Sequence, residues 1–185
     1  SITGKNKNET YRVGSSIGDI VAGLYAVIGV LTQIIFRNQS KKGSRLDLSM
    51  LDCQVAILEN AIARYSVDKK IPCPLGTDHP SITPFGAFKT LDGTLAIAIG
   101  NNKMFKDFCF SIKNEELHKK KKYENNAKRN KNLSDLRRDI EYQMKKKKTD
   151  YWCKVLKKNK IPHSKINNVK DVIKNKHVKN RNIIL

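Results

Sequence analysis

Residues 20–36, "IVAGLYAVIGVLTQIIF", form a run of 17 positions without a single charge. No other feature constrains the fold as strongly. As a helix the run would be about 25 Å long, just short of the ~20 apolar residues that span a bilayer. Thr32 and Gln33 interrupt it, and Gly23 and Gly29 suit close packing against a neighbour. The run therefore predicts a helix buried on all sides of a globular fold, with no membrane association. Arg37 marks its end, and a small-residue approach, "GSSIGD", leads into it with Asp19 just before the apolar stretch.

After a polar turn, "RLDLSML" (45–51) alternates apolar and polar residues as a strand does, and "LDCQVAILENAIARYSV" (51–67) returns to helical spacing. Strand and helix in alternation predict the end of an α/β layer. Residues 68–85 break the pattern: four of the five prolines fall there, which makes this stretch the expected connector. Beyond it, Asp92-Gly93 sits between two alternating runs and predicts a hairpin. "NNKMFKDFCFSI" opens a helix. Ser134 and Thr149 precede two further helical stretches as expected N-caps, and Trp152, Val155 and Leu156 share one face of the second.

The chain carries 37 Lys and Arg against 17 Asp and Glu, a formal charge of +20. Such a balance raises nucleic-acid binding. The excess, however, sits in Lys-rich runs such as "HKKKKY", "AKRNKN" and "MKKKKT", with few aromatics to stack on bases. These runs predict solvated surface and no nucleic-acid partner. Cys53, Cys73, Cys109 and Cys153 are scattered, without CxxC or a nearby His, which predicts free thiols, no metal and a reducing, cytoplasmic setting.

Three places could carry chemistry. Asp19 either caps the apolar helix or stands as a carboxylate held ionised by the helix dipole. His79, in "GTDHPSITPF", is either an ordinary loop residue or a ligand-facing imidazole. Gly100, Asn101 and Asn102 mark a strand-to-helix junction, either a simple cap or a cradle of N–H groups for an oxyanion. Neither a Ser-His-Asp set, an HExxH motif nor a phosphate-binding loop is present.

Taken in order, "SITG", "RVGSSIGDIVAGLYAVIGVL", "RLDLSMLDCQVAILEN", "PLGTDHPSITPFGAFKTLDGTLAIAIGNNKMFKDFC", "NAKRNKN" and "IPHSKINNVKDVIKNKHVKNRNII" resemble the class III CoA-transferases, the CaiB–BaiF family. The resemblance implies an α/β fold: part of a Rossmann-like large domain, a linker and a smaller α+β domain, in a family of interlocked dimers. It assigns residues 1–67 to the C-terminal part of the large domain, 68–80 to an extended linker, 81–165 to the small domain and 166–185 to a return segment. It makes Asp19 the nucleophile, and Gly100, Asn101 and Asn102 a loop that closes over the acyl intermediate. With His79, these form the expected substrate-binding set. Coenzyme A enters as substrate, and no cofactor is required.

The family also includes 2-methylacyl-CoA racemases, which transfer protons through an Asp and a His with a Glu near the loop. This chain has no acid in "GNNKMF" and reads "IVAG" after Asp19, which favours transfer of CoA from an acyl-CoA to a free carboxylic acid. Members are about twice as long, so the chain is expected to be a piece. It would lack an N-terminal sheet that holds most of the CoA nucleotide and would work as a homodimer or with a complementing chain. A non-catalytic remnant that keeps the small-domain fold is the other expectation.

Overall fold

A computed structural model describes residues 2–184. Contacts divide the chain between Gly76 and Thr77, inside the proline-rich stretch, and residues 166–184 group with the second unit.

The first unit opens with a small antiparallel pair, β1 (Gly4–Asn6) and β2 (Glu9–Thr10). Helix α1 (Ile17–Ser40) follows and ends on Lys41, whose left-handed backbone (φ 60°) lets its N–H reach the Arg37 carbonyl. The chain then runs back along α1. A Cβ on Gly29 would lie 2.8 Å from Leu46 Cδ2, so the absence of a side chain there admits Leu46. Helices α2 (Met50–Ala56) and α3 (Glu59–Asp68) complete the unit.

Two expectations fail here. Residues 45–49 form no strand, because among the described residues no neighbouring strand supplies a ladder. Ser49 instead caps α2, accepting from the N–H groups of Leu51 and Asp52. And α1 is not buried on all sides. Only Val21 and Ala22 are buried, against Cys53 and Ile17, while ten apolar residues between Ile20 and Phe36 are 40–60% exposed. The helix is long and apolar enough to cross a bilayer.

The second unit is built on a three-stranded antiparallel sheet. β3 (Phe85–Lys89) pairs with β4 (Thr94–Ala98), and β4 with β5 (His163–Lys165). The turn at Asp92-Gly93 is a four-residue loop closed by the Thr90 N–H to the Gly93 carbonyl at 2.9 Å. Phe88, Leu95 and Ile97 alternate onto one face of the sheet and are buried beneath helices. Those helices are α4 (Asn102–Ser111), α5 (Glu116–Lys119), α6 (Asn126–Lys131), α7 (Leu133–Met144) and α8 (Thr149–Lys158), with a 3₁₀ turn at Lys121–Tyr123 between α5 and α6. Two short helices, α9 (Val169–Lys174) and α10 (Lys176–Asn180), follow β5. Trp152 and Leu156 are buried with Val155 packed beside them, and the Trp152 indole N–H donates to the Met144 carbonyl at 2.6 Å.

The two expected caps shift. Ser134 lies inside α7, which starts after Asn132. Thr149 is the first residue of α8, and the capping oxygen comes from the distant Asp92. All four cysteines are free.

Candidate functional site

Asp19 occupies the third position of α1, in its first turn, and is exposed. It is therefore not the N-cap. Ser16 holds that place and makes no side-chain cap bond. The Asp19 carboxylate accepts no hydrogen bond from any described residue, so its oxygens are available to a ligand.

The other candidates belong to the second unit. His79 Nδ1 accepts from the N–H groups of Ser81 at 3.2 Å and Ile82 at 3.1 Å, which makes it the unprotonated nitrogen and leaves the proton to Nε2. Its ring stacks on Phe85, centroids 5.0 Å apart and planes 19° from parallel. His79 thus organises its own turn. Phe85 pairs with Ala98 at the end of the hairpin that leads into Gly100, so His79 and the Gly100–Asn102 loop share one end of the sheet.

The loop is a helix cap in form. Asn101 Oδ1 accepts from the Met104 N–H at 2.8 Å, and Asn102 Oδ1 accepts from Arg129 at 3.0 Å. A Cβ at Gly100 would meet Met104 Sδ at 3.9 Å, an ordinary contact. The loop owes its shape to the two Asn side chains, and its backbone N–H groups are what it can present to an anion.

Arg129 is the residue that the sequence reading misses. The run "AKRNKN" was expected to be solvated, yet Arg129 is fully buried. Its Nε donates to the Thr83 carbonyl at 2.7 Å, and one terminal nitrogen donates to the Tyr123 carbonyl at 3.2 Å as well as to Asn102. The guanidinium lies 4.5 Å from the Phe105 ring centroid. The other terminal nitrogen has no partner, and no carboxylate lies within ion-pair distance among the described residues. Burial pushes the guanidinium pKa down from its ordinary value. The available signal is its residue type: between residues 113 and 132 it is the single Arg among many Lys, and Arg presents a planar fork of donors that Lys does not.

Cys109, one turn beyond Phe105, is buried and its thiol is pushed up to about 12 by desolvation, which removes it as a nucleophile. Among the described residues no group of three or more His, Cys, Asp or Glu side chains could hold a metal.

The profile of CoA-transferase family III matches residues 1–185, and the chain belongs to that family. It is 30% identical over 184 residues to human succinyl-CoA:glutarate CoA-transferase, covering 100% of this chain and 42% of that protein. It is 30% identical over 149 residues to acetyl-CoA:oxalate CoA-transferase of Acetobacter aceti, covering 80% of this chain and 38% of that protein. A CAIB/BAIF family protein from Brucella suis, known from its crystal structure, superposes with a TM-score of 0.85 at 30% identity, covering 100% of this chain and 49% of that one. The chain thus spans less than half the length of the relatives it matches.

Proposed function

We propose that this chain carries the nucleophile of a class III CoA-transferase, moving CoA from an acyl-CoA to a free carboxylic acid. The observation that carries the reading is Asp19, an exposed carboxylate without an internal partner at a helix N-terminus, in a chain of this family.

The chemistry needs no net proton and no metal. An Asp19 carboxylate oxygen attacks the thioester carbonyl; the C–S bond breaks, CoA leaves as thiolate, and a mixed anhydride remains. The thiolate attacks the Asp19 carbonyl carbon and expels the donor acid as carboxylate, leaving an aspartyl–CoA thioester. The acceptor carboxylate attacks that thioester, expels the thiolate and forms a second anhydride. The thiolate then attacks the acceptor's carbonyl, releasing the new acyl-CoA and restoring Asp19. Water must be kept from the anhydrides and the thioester.

In this reading the Gly100–Asn102 loop and the His79 turn contact the substrate, through loop N–H groups and His79 Nε2. The charge of Arg129 beneath the loop supports an anionic substrate there, because buried charge is weakly screened. The names of the glutarate- and oxalate-using relatives make dicarboxylic acids the acceptors to test first. The exposed apolar face of α1 supports a protein partner, either a second copy or a chain that supplies the rest of the enzyme.

The test is Asp19→Asn in an active complete assembly, which keeps the shape and removes the anionic nucleophile. Transfer should fall by about a thousandfold or more, and the aspartyl thioester should no longer be trapped by hydroxylamine. Turnover equal to the parent enzyme would overturn the assignment.

A further inference from the structure

Asn126, Arg129 and Asn130 stand at i, i+3 and i+4 on one face of α6. That face grips the segment after His79 at several points. Asn126 Nδ2 donates to the Ser81 carbonyl at 2.7 Å and its Oδ1 accepts from the Thr83 N–H at 3.0 Å. Asn130 Nδ2 donates to the same Ser81 carbonyl at 2.9 Å, and its Oδ1 accepts from the Thr83 hydroxyl. Arg129 Nε takes the Thr83 carbonyl at 2.7 Å, and the same guanidinium reaches Asn102 at 3.0 Å. Three side chains of one helical turn thus hold two segments that are far apart in sequence.

We propose that this face of α6 sets the His79–Thr83 turn and the Gly100–Asn102 loop in one fixed mutual placement, with Arg129 as the positioning residue that joins them. That these two segments touch substrate rests on the reading above; that they are joined does not. An apolar side chain of similar volume would fill the space under Phe105 without the cost of a buried, unpaired charge. What it would lack is direction. The guanidinium binds three acceptors at fixed angles: one in each of the two segments, and a third, the Tyr123 carbonyl, that anchors it. A Lys could reach one or two of them, but not with a rigid fork.

Residue-resolved amide hydrogen exchange on the full chain tests this, together with the ¹⁵N signals of the His79 ring. The reporters are the Thr83 N–H, bonded to Asn126, and the Met104 N–H, bonded to Asn101. In Arg129→Lys both should exchange about tenfold faster relative to the β3–β4 ladder, and the His79 signals should shift. Asn102 is exposed, so its replacement spares the core. Asn102→Ala should still speed Thr83 exchange about threefold through Arg129, and Asn102→Asp, which keeps the acceptor, should restore it. Uniform acceleration across the whole unit in Arg129→Lys would reduce Arg129 to a stabilising residue and overturn the proposal. So would an Asn102→Ala effect confined to α4 and its loop. None of these readouts needs turnover, so they stand or fall apart from the Asp19→Asn result.

Discussion

Asp92, at the tip of the β3–β4 hairpin, caps the N-terminus of α8: its Oδ1 accepts from the Thr149 N–H at 2.8 Å and from the Thr149 hydroxyl at 2.9 Å. Thr149 Oγ1 also lies 2.7 Å from Thr90 Oγ1, across the base of the same loop. The hairpin and α8 are thereby fastened at one point, 57 residues apart in sequence. The two bonds from Thr149 hold the Asp92 carboxyl below its ordinary pKa. A depressed carboxylate contributes stability that is present above the ordinary range and lost as pH falls through the depressed value. We therefore expect Asp92→Ala to melt at a lower temperature than the parent at neutral pH, with the difference shrinking toward zero in strong acid. Thermal melts across the acid range measure it, and a difference independent of pH would show that the charge plays no part.

Burial divides the two leucines of the hairpin region. Leu95, on β4, is 0% exposed beneath the helices, whereas Leu91, in the loop, is 60% exposed. Leu95→Ala should cost about 2–5 kcal/mol of unfolding free energy, and Leu91→Ala less than about 0.5 kcal/mol. Urea unfolding of each variant gives the comparison. Equal losses would mean that the sheet does not face the core as described.

The second unit was legible in the sequence where a local pattern decides structure. Alternation around Asp92-Gly93 gives the hairpin, and the spacing of Trp152, Val155 and Leu156 gives the buried face of α8. Long-range capping was not legible: Thr149 looks like its own cap until Asp92 is brought to it by the fold. Arg129 was hidden for a related reason. A cation in a Lys-rich run is solvated by default, and only the placement of Thr83, Tyr123 and Asn102 around it makes burial tolerable. The apolar run gave α1 its helix but not its surroundings, since uniform hydrophobicity says that a helix will be covered without saying by what. The alternation at 45–51 misled because it reports which faces are apolar, and a strand needs a partner as well.

The exposed face of α1 yields a prediction of its own. Leu24 and Leu31 project from the helix one heptad apart and are exposed. Leu24→Glu with Leu31→Glu should leave the helical signal of the isolated chain intact and reduce its self-association at high concentration, because a contiguous apolar patch is removed. In a complete assembly the same pair should abolish activity by placing two charges in a covered interface. Light scattering and circular dichroism test the first half, and a loss of helix in the isolated chain would show that this face is already packed.

The Lys runs are expected to differ within themselves. Lys122 Nζ lies 2.7 Å from Asp135 Oδ2, and Arg138 lies 2.8 Å from the other oxygen of the same carboxylate. Lys121, in the same run, forms no ion pair among the described residues. The hydrogen bond from Lys122 and its charge, with help from Arg138, hold the Asp135 pKa below its ordinary value, and the same pairing raises that of Lys122. Both partners are only half-buried and solvent still reaches the pair, so it is expected to show in titration more than in stability. Lys122→Gln should move the Asp135 titration up toward the ordinary carboxylate range, leaving only the pull of Arg138. Lys121→Gln should not move it. High salt should narrow the gap between parent and Lys122→Gln, because exposed charges are screened. Carboxyl ¹³C shifts followed through acid pH measure all three. An Asp135 titration unmoved by Lys122→Gln would show that the pair does not form in solution, and the whole run would then be uniform solvated charge.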